Sequence, residues 1–159
     1  MGNNFYRQNE FKNMYRFIEP EVAGGLGKET VLNNNIHPPI VEKLNYEFSG
    51  WLGDDIIESF PCYIVSERLK NKIDLEKLRG VRFDNVLITK SQVFNQLYPN
   101  IELPKFYWAK INGKFGFDDF IIWDDYRMII SERAYRILKL FNVNQALFED
   151  LKEMPDQTD

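Results

Sequence analysis

Histidine and cysteine are scarce, since the 159-residue chain contains one of each. Cys62 has no second cysteine in the chain with which to form a disulfide, and a structural zinc site needs about four His or Cys ligands. The neighbouring Tyr63-Ile64-Val65 is typical of a buried strand, so Cys62 is predicted to be a small core residue in a reducing compartment. A disulfide scaffold and a Cys/His zinc centre are therefore excluded.

Long apolar runs and basic clusters are also missing. No run of about 18 apolar residues is present to span a bilayer, and Met1–Glu10 lacks the apolar region of a secretory signal. The net charge is −4, and the lysines and arginines are scattered, which argues against nucleic acid as a partner. These features predict a cytoplasmic protein that binds neither membranes nor nucleic acid. A basic partner is compatible with the charge.

Apolar residues, in contrast, are plentiful: 44% of the chain is hydrophobic and 15% is aromatic. This composition is typical of a packed core and not of a disordered segment. A chain of this length buries about 70% of its unfolded surface, so it folds without a disulfide or metal. We expect one domain over residues 1–159, with an ordered core from 13 to 150 and a polar, frayed end from 152 to 159.

Local patterns predict several strands and one short helix. Strands are expected at Asn13–Ile18, Leu44–Phe48, Val81–Thr89 and Lys105–Ile111. Ser91 is expected to cap a helix that ends at Leu97. The breaker-rich stretch Glu19–Pro39 predicts one long surface connection, Asp54–Ser59 a helical turn, and the turn from Ile111 to Phe115 a hairpin.

An internal echo is the most informative feature. Tyr63-Ile64-Val65-Ser66-Glu67-Arg68-Leu69 recurs 65 residues later as Met128-Ile129-Ile130-Ser131-Glu132-Arg133-Ala134. In each copy an apolar strand runs into Ser-Glu-Arg, so Ser66 and Ser131 are predicted to cap the first turn of a helix. The sequence thus predicts an α+β fold: a mixed or antiparallel sheet with packed helices, and two strand-to-helix pseudo-repeat units in one domain.

Three features suggest binding or catalytic motifs but favour structural roles. Gly24-Gly25-Leu26-Gly27-Lys28 is followed by Glu29 and not by Ser or Thr, so it does not match a phosphate-binding loop. His37 precedes Pro38-Pro39 without a partner nucleophile, which favours a structural or surface role. Arg68 and Arg133 are expected to pair with carboxylates or backbone carbonyls near their helix starts. No catalytic residue, metal site or cofactor is assigned.

Three acidic groups stand out, and two tryptophans adjoin them. Solvated turn charges, an acidic surface that binds a partner, and a metal or catalytic site are all compatible with them. None matches the calcium-loop spacing, and adjacent aspartates in a strand point to opposite faces. The candidate partner-binding residues are Trp51, Asp54, Asp55, Glu58, Asp118, Asp119, Trp123, Asp124 and Asp125.

The two strand-Ser-Glu-Arg-helix segments carry a family resemblance over roughly residues 15–150. Together with Trp51-Leu52-Gly53-Asp54-Asp55 and Ser59-Phe60-Pro61, they resemble small bacterial proteins grouped with the immunity proteins of polymorphic toxin systems. The resemblance implies a cytoplasmic protein that neutralises a cognate toxin by binding it stoichiometrically. The motifs that carry it are caps and core strands, and no catalytic residue is carried over.

Three hypotheses therefore remain at the level of the sequence. The first is an immunity protein whose acidic and aromatic surface covers a toxin such as a basic nuclease. The second is a small metal- or ligand-dependent enzyme that uses His37 and some of the aspartates. The third is a structural module that forms a homodimer.

Overall fold

The computed structural model describes residues 13–151. Strands in this region are β1 (Tyr15–Glu19), β2 (Gly24–Leu26), β3 (Val31–Asn33), β4 (Ile40–Lys43), β5 (Asn45–Phe48), β6 (Ile56–Ser59), β7 (Cys62–Ser66), β8 (Val81–Asp84), β9 (Leu87–Lys90), β10 (Phe106–Ile111), β11 (Phe120–Ile122), β12 (Met128–Ser131) and β13 (Leu147–Asp150). The helices are α1 (Glu67–Leu75), α2 (Gln92–Leu97) and α3 (Glu132–Leu138). The end predicted to fray, 152–159, lies outside the described residues.

Most strand pairs are antiparallel, so the expected α+β fold is confirmed. The first sheet has the order β6-β7-β10-β8, and the second has the order β11-β12-β1-β13. A third sheet, β2-β5-β9, contains the parallel pair β5 and β9, and β3 pairs with β4. None of the helices within residues 13–151 is long and apolar enough to cross a membrane.

The first and second sheets have corresponding pairings. Each begins with a hairpin whose second strand leads into a helix, and β1 occupies in the second sheet the position that β10 occupies in the first. Three residue pairs of the first sheet have counterparts in the second sheet. The pairs in the first sheet are Ser66–Phe106 (β7–β10), Ile56–Val65 (β6–β7) and Ala109–Phe83 (β10–β8). Their counterparts, in the same order, are Ser131–Tyr15 (β12–β1), Phe120–Ile130 (β11–β12) and Ile18–Phe148 (β1–β13). Strand β1 is thus an inner strand of the second sheet.

The two sheets share one apolar core with α1 and α3. The core includes Ile18, Val65 and Ile130 from the sheets, and Leu69 and Leu138 from the helices. Both helices begin as predicted: the Ser66 hydroxyl accepts the Leu69 amide at 3.3 Å, and the Ser131 hydroxyl accepts the Ala134 amide at 3.1 Å. The Ser91 cap of α2 is confirmed as well. These caps satisfy amides that the first helical turn leaves unpaired.

The third sheet covers the outer face of the first sheet. Tyr46 and Phe48 of β5 and Phe94 of α2 are fully buried there against Ile64. Cys62 lies in the same core, and burial raises the pKa of its thiol to about 12. The prediction that Cys62 is a core residue is confirmed, and its thiol stays protonated at neutral pH.

Three local predictions are wrong. Asp54–Ser59 is not a helical turn, because Ile56–Ser59 pairs with β7 as strand β6. The stretch Glu19–Pro39 is not one open connection, since it contains β2 and β3. Val81–Thr89 is divided into β8 and β9, which belong to different sheets. In each case pairing with another strand overrides the local pattern.

The expected hairpin at Ile111–Phe115 is also wrong, because β10 and β11 belong to different sheets. The chain crosses between the sheets where two glycine backbones meet. A Cβ atom at Gly113 would lie 1.9 Å from the Phe120 oxygen and 2.9 Å from the Gly80 Cα atom. Gly80 has a φ of 94°, which favours glycine. The crossing therefore requires this close contact between backbones.

The two neighbouring glycines of β2 provide a matched test of backbone packing. A Cβ atom at Gly24 would lie 1.9 Å from the Glu47 oxygen, whereas one at Gly25 would meet nothing within 4 Å. Gly24→Ala is expected to lower the free energy of unfolding by about 2 kcal/mol, because β2 must move away from β5. Gly25→Ala should change it by less than about 0.5 kcal/mol. Urea unfolding of both variants is the measurement, and equal effects would contradict the stated packing of β2 on β5.

Candidate protein-binding surface

Three of the predicted interface aspartates lie in the interior. Asp54, Asp55 and Asp119 are 0%, 2% and 8% exposed. Buried carboxylates require hydrogen-bond or ionic partners, and all three have them. The expectation that these residues contribute to an exposed acidic surface is therefore wrong.

Asp55 joins the start of α1 to the segment that follows α3. Its Oδ1 atom accepts the Ser66 hydroxyl at 2.6 Å and the Arg68 Nε atom at 2.7 Å. Its Oδ2 atom accepts the Asn142 amide at 2.8 Å and forms an ion pair with the Arg68 guanidinium. Burial by itself raises the pKa of Asp55, but the hydrogen bonds from Arg68, Ser66 and Asn142 outweigh it, so the pKa lies below its ordinary value.

Asp119 makes the corresponding contacts for the other helix, because it joins the start of α3 to the segment that follows α1. Its carboxylate accepts the Ser131 hydroxyl at 2.7 Å and the Arg133 guanidinium at 3.0 Å. It also accepts the amide of Arg79, which follows α1, at 2.8 Å. Burial raises the pKa of Asp119, but these three hydrogen bonds outweigh it and hold the pKa below its ordinary value. Each aspartate therefore ties its own helix start to the segment after the other helix.

The arginines of the internal echo have the structural role expected from the sequence. Arg68 pairs with Asp55, and Arg133 pairs with Asp119 and donates to the Lys77 carbonyl at 3.0 Å. The aspartates themselves were not expected in this role. A sequence signal does exist, because an Asp-Asp pair ends eleven residues before Ser66 and twelve residues before Ser131.

The first aspartate of each pair anchors a loop. The Asp54 carboxylate accepts the Asn144 amide at 3.0 Å and the Gln145 amide at 2.8 Å. Asp118 accepts the Lys114 amide at 2.7 Å and forms an ion pair with Arg79. Backbone amides and an arginine thus account for the contacts of these carboxylates, and the two residues serve the fold.

Three turns bring exposed apolar side chains together. The His37 ring lies 6.3 Å from the Phe60 ring and 5.3 Å, edge-on, from the Tyr126 ring. These residues come from the turns of β3–β4, β6–β7 and β11–β12, and Phe60 and Tyr126 are 47% and 40% exposed. A shallow cavity of about 190 Å³ beside them is lined by Pro39, by Pro61, by Ile122 at the end of β11, and by β10 residues that include Lys110. We call His37, Phe60, Tyr126, Pro39, Pro61 and Ile122 the turn surface.

Carboxylates surround the base of the Tyr126 turn. The Arg127 guanidinium lies 2.7 Å from Asp125, 3.5 Å from Glu19 and 3.6 Å from Glu149. Asp124 is exposed in the same turn. Glu58 is half-buried, and burial followed by the charge of Glu19 raises its pKa. The described carboxylates around Arg127 outnumber it, so this edge of the turn surface favours a positive partner.

The backbone of the β11–β12 turn is unusual at Tyr126. Its φ is 68°, in the left-handed region that non-glycine residues rarely adopt. The Tyr126 amide donates to the Trp123 carbonyl at 2.9 Å, and the Trp123 amide donates to the Arg127 carbonyl at 2.8 Å. Trp123 itself packs on Phe115 with ring centroids 5.1 Å apart, so it supports the turn that presents Tyr126.

The structure does not assemble the residues expected of a metal-dependent enzyme. His37 packs with the aromatic rings of the turn surface, while Asp54, Asp55 and Asp119 are bound as described above. Within residues 13–151, no group of three or more His, Cys, Asp or Glu side chains is arranged to hold a metal ion. Trp51, the remaining candidate, lines a separate pocket, and its indole nitrogen donates to the Asp54 carbonyl at 2.9 Å.

No family model matches the chain, and a search of curated proteins finds no match.

Proposed function

We propose that this chain is a cytoplasmic immunity protein that binds a cognate bacterial toxin through the turn surface. The observation that carries this proposal is the group of exposed rings of His37, Phe60 and Tyr126, edged by carboxylates. Exposed aromatic clusters with a polar rim are typical of sites that contribute most to protein–protein affinity. The resemblance of the sequence to immunity proteins agrees with this reading.

The charge around the turn surface indicates the kind of toxin. Asp124, Asp125 and Glu58, with Glu19 beside them, attract a positive surface such as that of a nuclease that binds nucleic acid. Trp123 supports the turn that carries Asp124 and Asp125. The buried aspartates described above take no part in binding under this proposal. Their contacts are with the starts of α1 and α3 and with the segments that follow those helices.

We also propose that the two strand-to-helix segments are pseudo-repeat units, each consisting of an Asp-Asp pair, a hairpin and a helix. Support comes from the matching registers of the two sheets and from the matching contacts of Asp55 and Asp119. In this arrangement β1 completes the second unit as β10 completes the first. The turns that carry Phe60 and Tyr126 would then be equivalent, and the His37 ring contacts a ring from each of them.

Co-purification with the product of an adjacent toxin gene tests the immunity function. A stable complex and restored growth of cells that produce the toxin are the expected results. A toxin that is neutralised without forming a complex would contradict binding as the mechanism. The measurement requires the full chain and the intact toxin.

Reversal of the exposed charge at Asp124 is expected to slow formation of this complex. Asp124→Lys should reduce the association rate constant about tenfold at low salt and weaken its dependence on ionic strength. Asp150→Lys, on the exposed part of β13, is the matched control and should leave the rate within about twofold. Stopped-flow kinetics at two salt concentrations measure both. Equal association rate constants for the two variants would show that the carboxylates at the edge of the turn surface do not steer association.

A further inference from the structure

A second concave site lies between the β1–β2 connection, the segment after β5 and the end of α2. It has a volume of about 410 Å³, and its apolar walls include Val22, Trp51, Leu52 and Tyr98. Val22 and Leu52 are 66% and 71% exposed, so the walls are open to water. The pocket shares no residue with the turn surface. Pockets of this size with apolar walls and a few polar groups are typical ligand sites.

Glu21 is the acidic residue of this pocket, and it is 6% exposed. Its two carboxylate oxygens lie 3.2 Å and 3.1 Å from the Leu52 amide nitrogen. Burial raises the pKa of Glu21, and the charge of Asp54 raises it further against the opposing hydrogen bonds from backbone amides. A positively charged ligand would therefore stabilise the ionised carboxylate of Glu21.

The charge of Glu21 is not balanced by a basic side chain of the described chain. Its neighbour Asp54 is held by the amides of Asn144 and Gln145. Within residues 13–151, neither carboxylate forms an ion pair with a lysine, arginine or histidine. Two carboxylates held by neutral donors produce a negative potential, and the low-dielectric walls of a pocket concentrate it. This negative potential weakens the binding of acidic ligands and does not strengthen the binding of neutral ones.

We propose that the Glu21 pocket binds a basic side chain of a partner protein, with its charged group at Glu21 and its aliphatic stem along Leu52 and Val22. Long basic side chains cover apolar surface with their stems while the charge interacts at the end. The rings of Trp51 and Tyr98 add attraction for a cation that lies over their faces. This site goes beyond the turn surface, and its chemistry does not depend on the partner being a toxin.

A pair of small probes tests the proposal on the isolated full-length chain. N-acetyl-arginine methylamide carries the guanidinium of a protein side chain, and the citrulline analogue has nearly the same shape without the charge. In two-dimensional NMR titrations, the arginine probe is expected to shift the Leu52 amide and the Trp51 indole signals. The citrulline probe should bind at least tenfold more weakly. Equal affinities for the two probes, or no shift by the arginine probe, would overturn the proposal.

Two substitutions separate the charge from the shape of the pocket. Glu21→Gln keeps an acceptor for the Leu52 amide and should abolish the preference for the arginine probe. Glu47→Gln, at an exposed position of β5, is the matched control and should retain that preference. An arginine preference that survives in Glu21→Gln would contradict the assigned role of the carboxylate. Free arginine that binds at least tenfold more tightly than the blocked probe would contradict a protein partner and indicate a small-molecule site.

Discussion

Asp55→Ala is expected to lower the free energy of unfolding by about 3 kcal/mol. The substitution leaves the buried Ser66 hydroxyl and the Asn142 amide without their acceptor. A hydrogen bond to a charged group contributes about 1.5 to 3 kcal/mol, and an unmatched buried donor costs a similar amount. Arg68 contributes less to this loss, because its side chain is 59% exposed and can return to water.

The matched control for this prediction is an exposed aspartate. Asp74 pairs with Lys70 on the surface of α1, and Asp74→Ala should change the unfolding free energy by less than about 0.5 kcal/mol. Asp55→Asn retains the shape of the side chain and provides a folded variant if alanine is not tolerated. Chemical unfolding measures all three. A loss at Asp55 no greater than that at Asp74 would show that the buried contacts do not stabilise the fold.

Hydrogen exchange distinguishes a local effect of Asp55 from its long-range role. Because its carboxylate accepts the Asn142 amide, Asp55→Asn should accelerate exchange at residue 142, which is 87 positions away. Asp119→Asn should do the same at Arg79, 40 positions away. Comparable losses of stability at Asp55 and Asp119 would support the proposed pseudo-repeat. A large loss at one and none at the other would contradict it.

The same carboxylates determine the direction of the pH dependence. The pKa values of Asp55 and Asp119 are lowered in the folded state, so their contribution is fully present above the pKa of an unfolded aspartate, about 3.9. This contribution to stability is lost as the pH falls below that value and through the lowered pKa values of the folded state, because the folded protein must then bind protons at a cost. Glu21 acts in the opposite direction, since its raised pKa makes folding less favourable as the pH rises through that value.

Local structure could be predicted from the sequence where a few neighbouring residues determine it. The caps at Ser66 and Ser131 depend on residues within one turn, and the apolar run around Cys62 is itself continuous. The expectation that the arginines pair with carboxylates or carbonyls was also met, although the partners lie 13 or more positions away in the chain. Periodicity and cap chemistry therefore identified these elements correctly.

The partners of the acidic pairs could not be predicted in this way. Asp-Asp pairs are equally typical of solvated turns, and nothing near Asp55 in the chain indicates that Asn142 will reach it. The same holds for β1, whose place between β12 and β13 depends on strands more than 100 residues away. The sequence pattern of an acidic pair beside a tryptophan did single out Trp123, Asp124 and Asp125, whose role in binding stays a prediction. It did not indicate that His37 and Phe60 would lie beside their turn.

Under the proposed immunity function, Tyr126→Gly is expected to weaken binding of the toxin without a comparable loss of stability. Tyr126 has a φ of 68°, and glycine adopts this conformation without the steric cost that a side chain incurs. The relief of that strain offsets the greater entropy of an unfolded glycine, so the free energy of unfolding should change by less than about 1 kcal/mol. Loss of the Tyr126 ring from the turn surface should weaken binding of the proposed toxin by about 2 kcal/mol or more, which is roughly 30-fold in Kd.

The comparison with Tyr126→Phe and Tyr126→Asn completes the argument. Phenylalanine keeps the ring that lies 5.3 Å from His37 and should retain most of the affinity. Asparagine tolerates the left-handed conformation but removes the ring, so it should bind as weakly as glycine does. Isothermal titration of the three variants with the toxin gives the affinities, and thermal unfolding gives their stabilities. Unchanged affinity in both ringless variants would move the interface away from the turn surface, whereas a loss confined to them would identify Tyr126 as a residue on which binding depends.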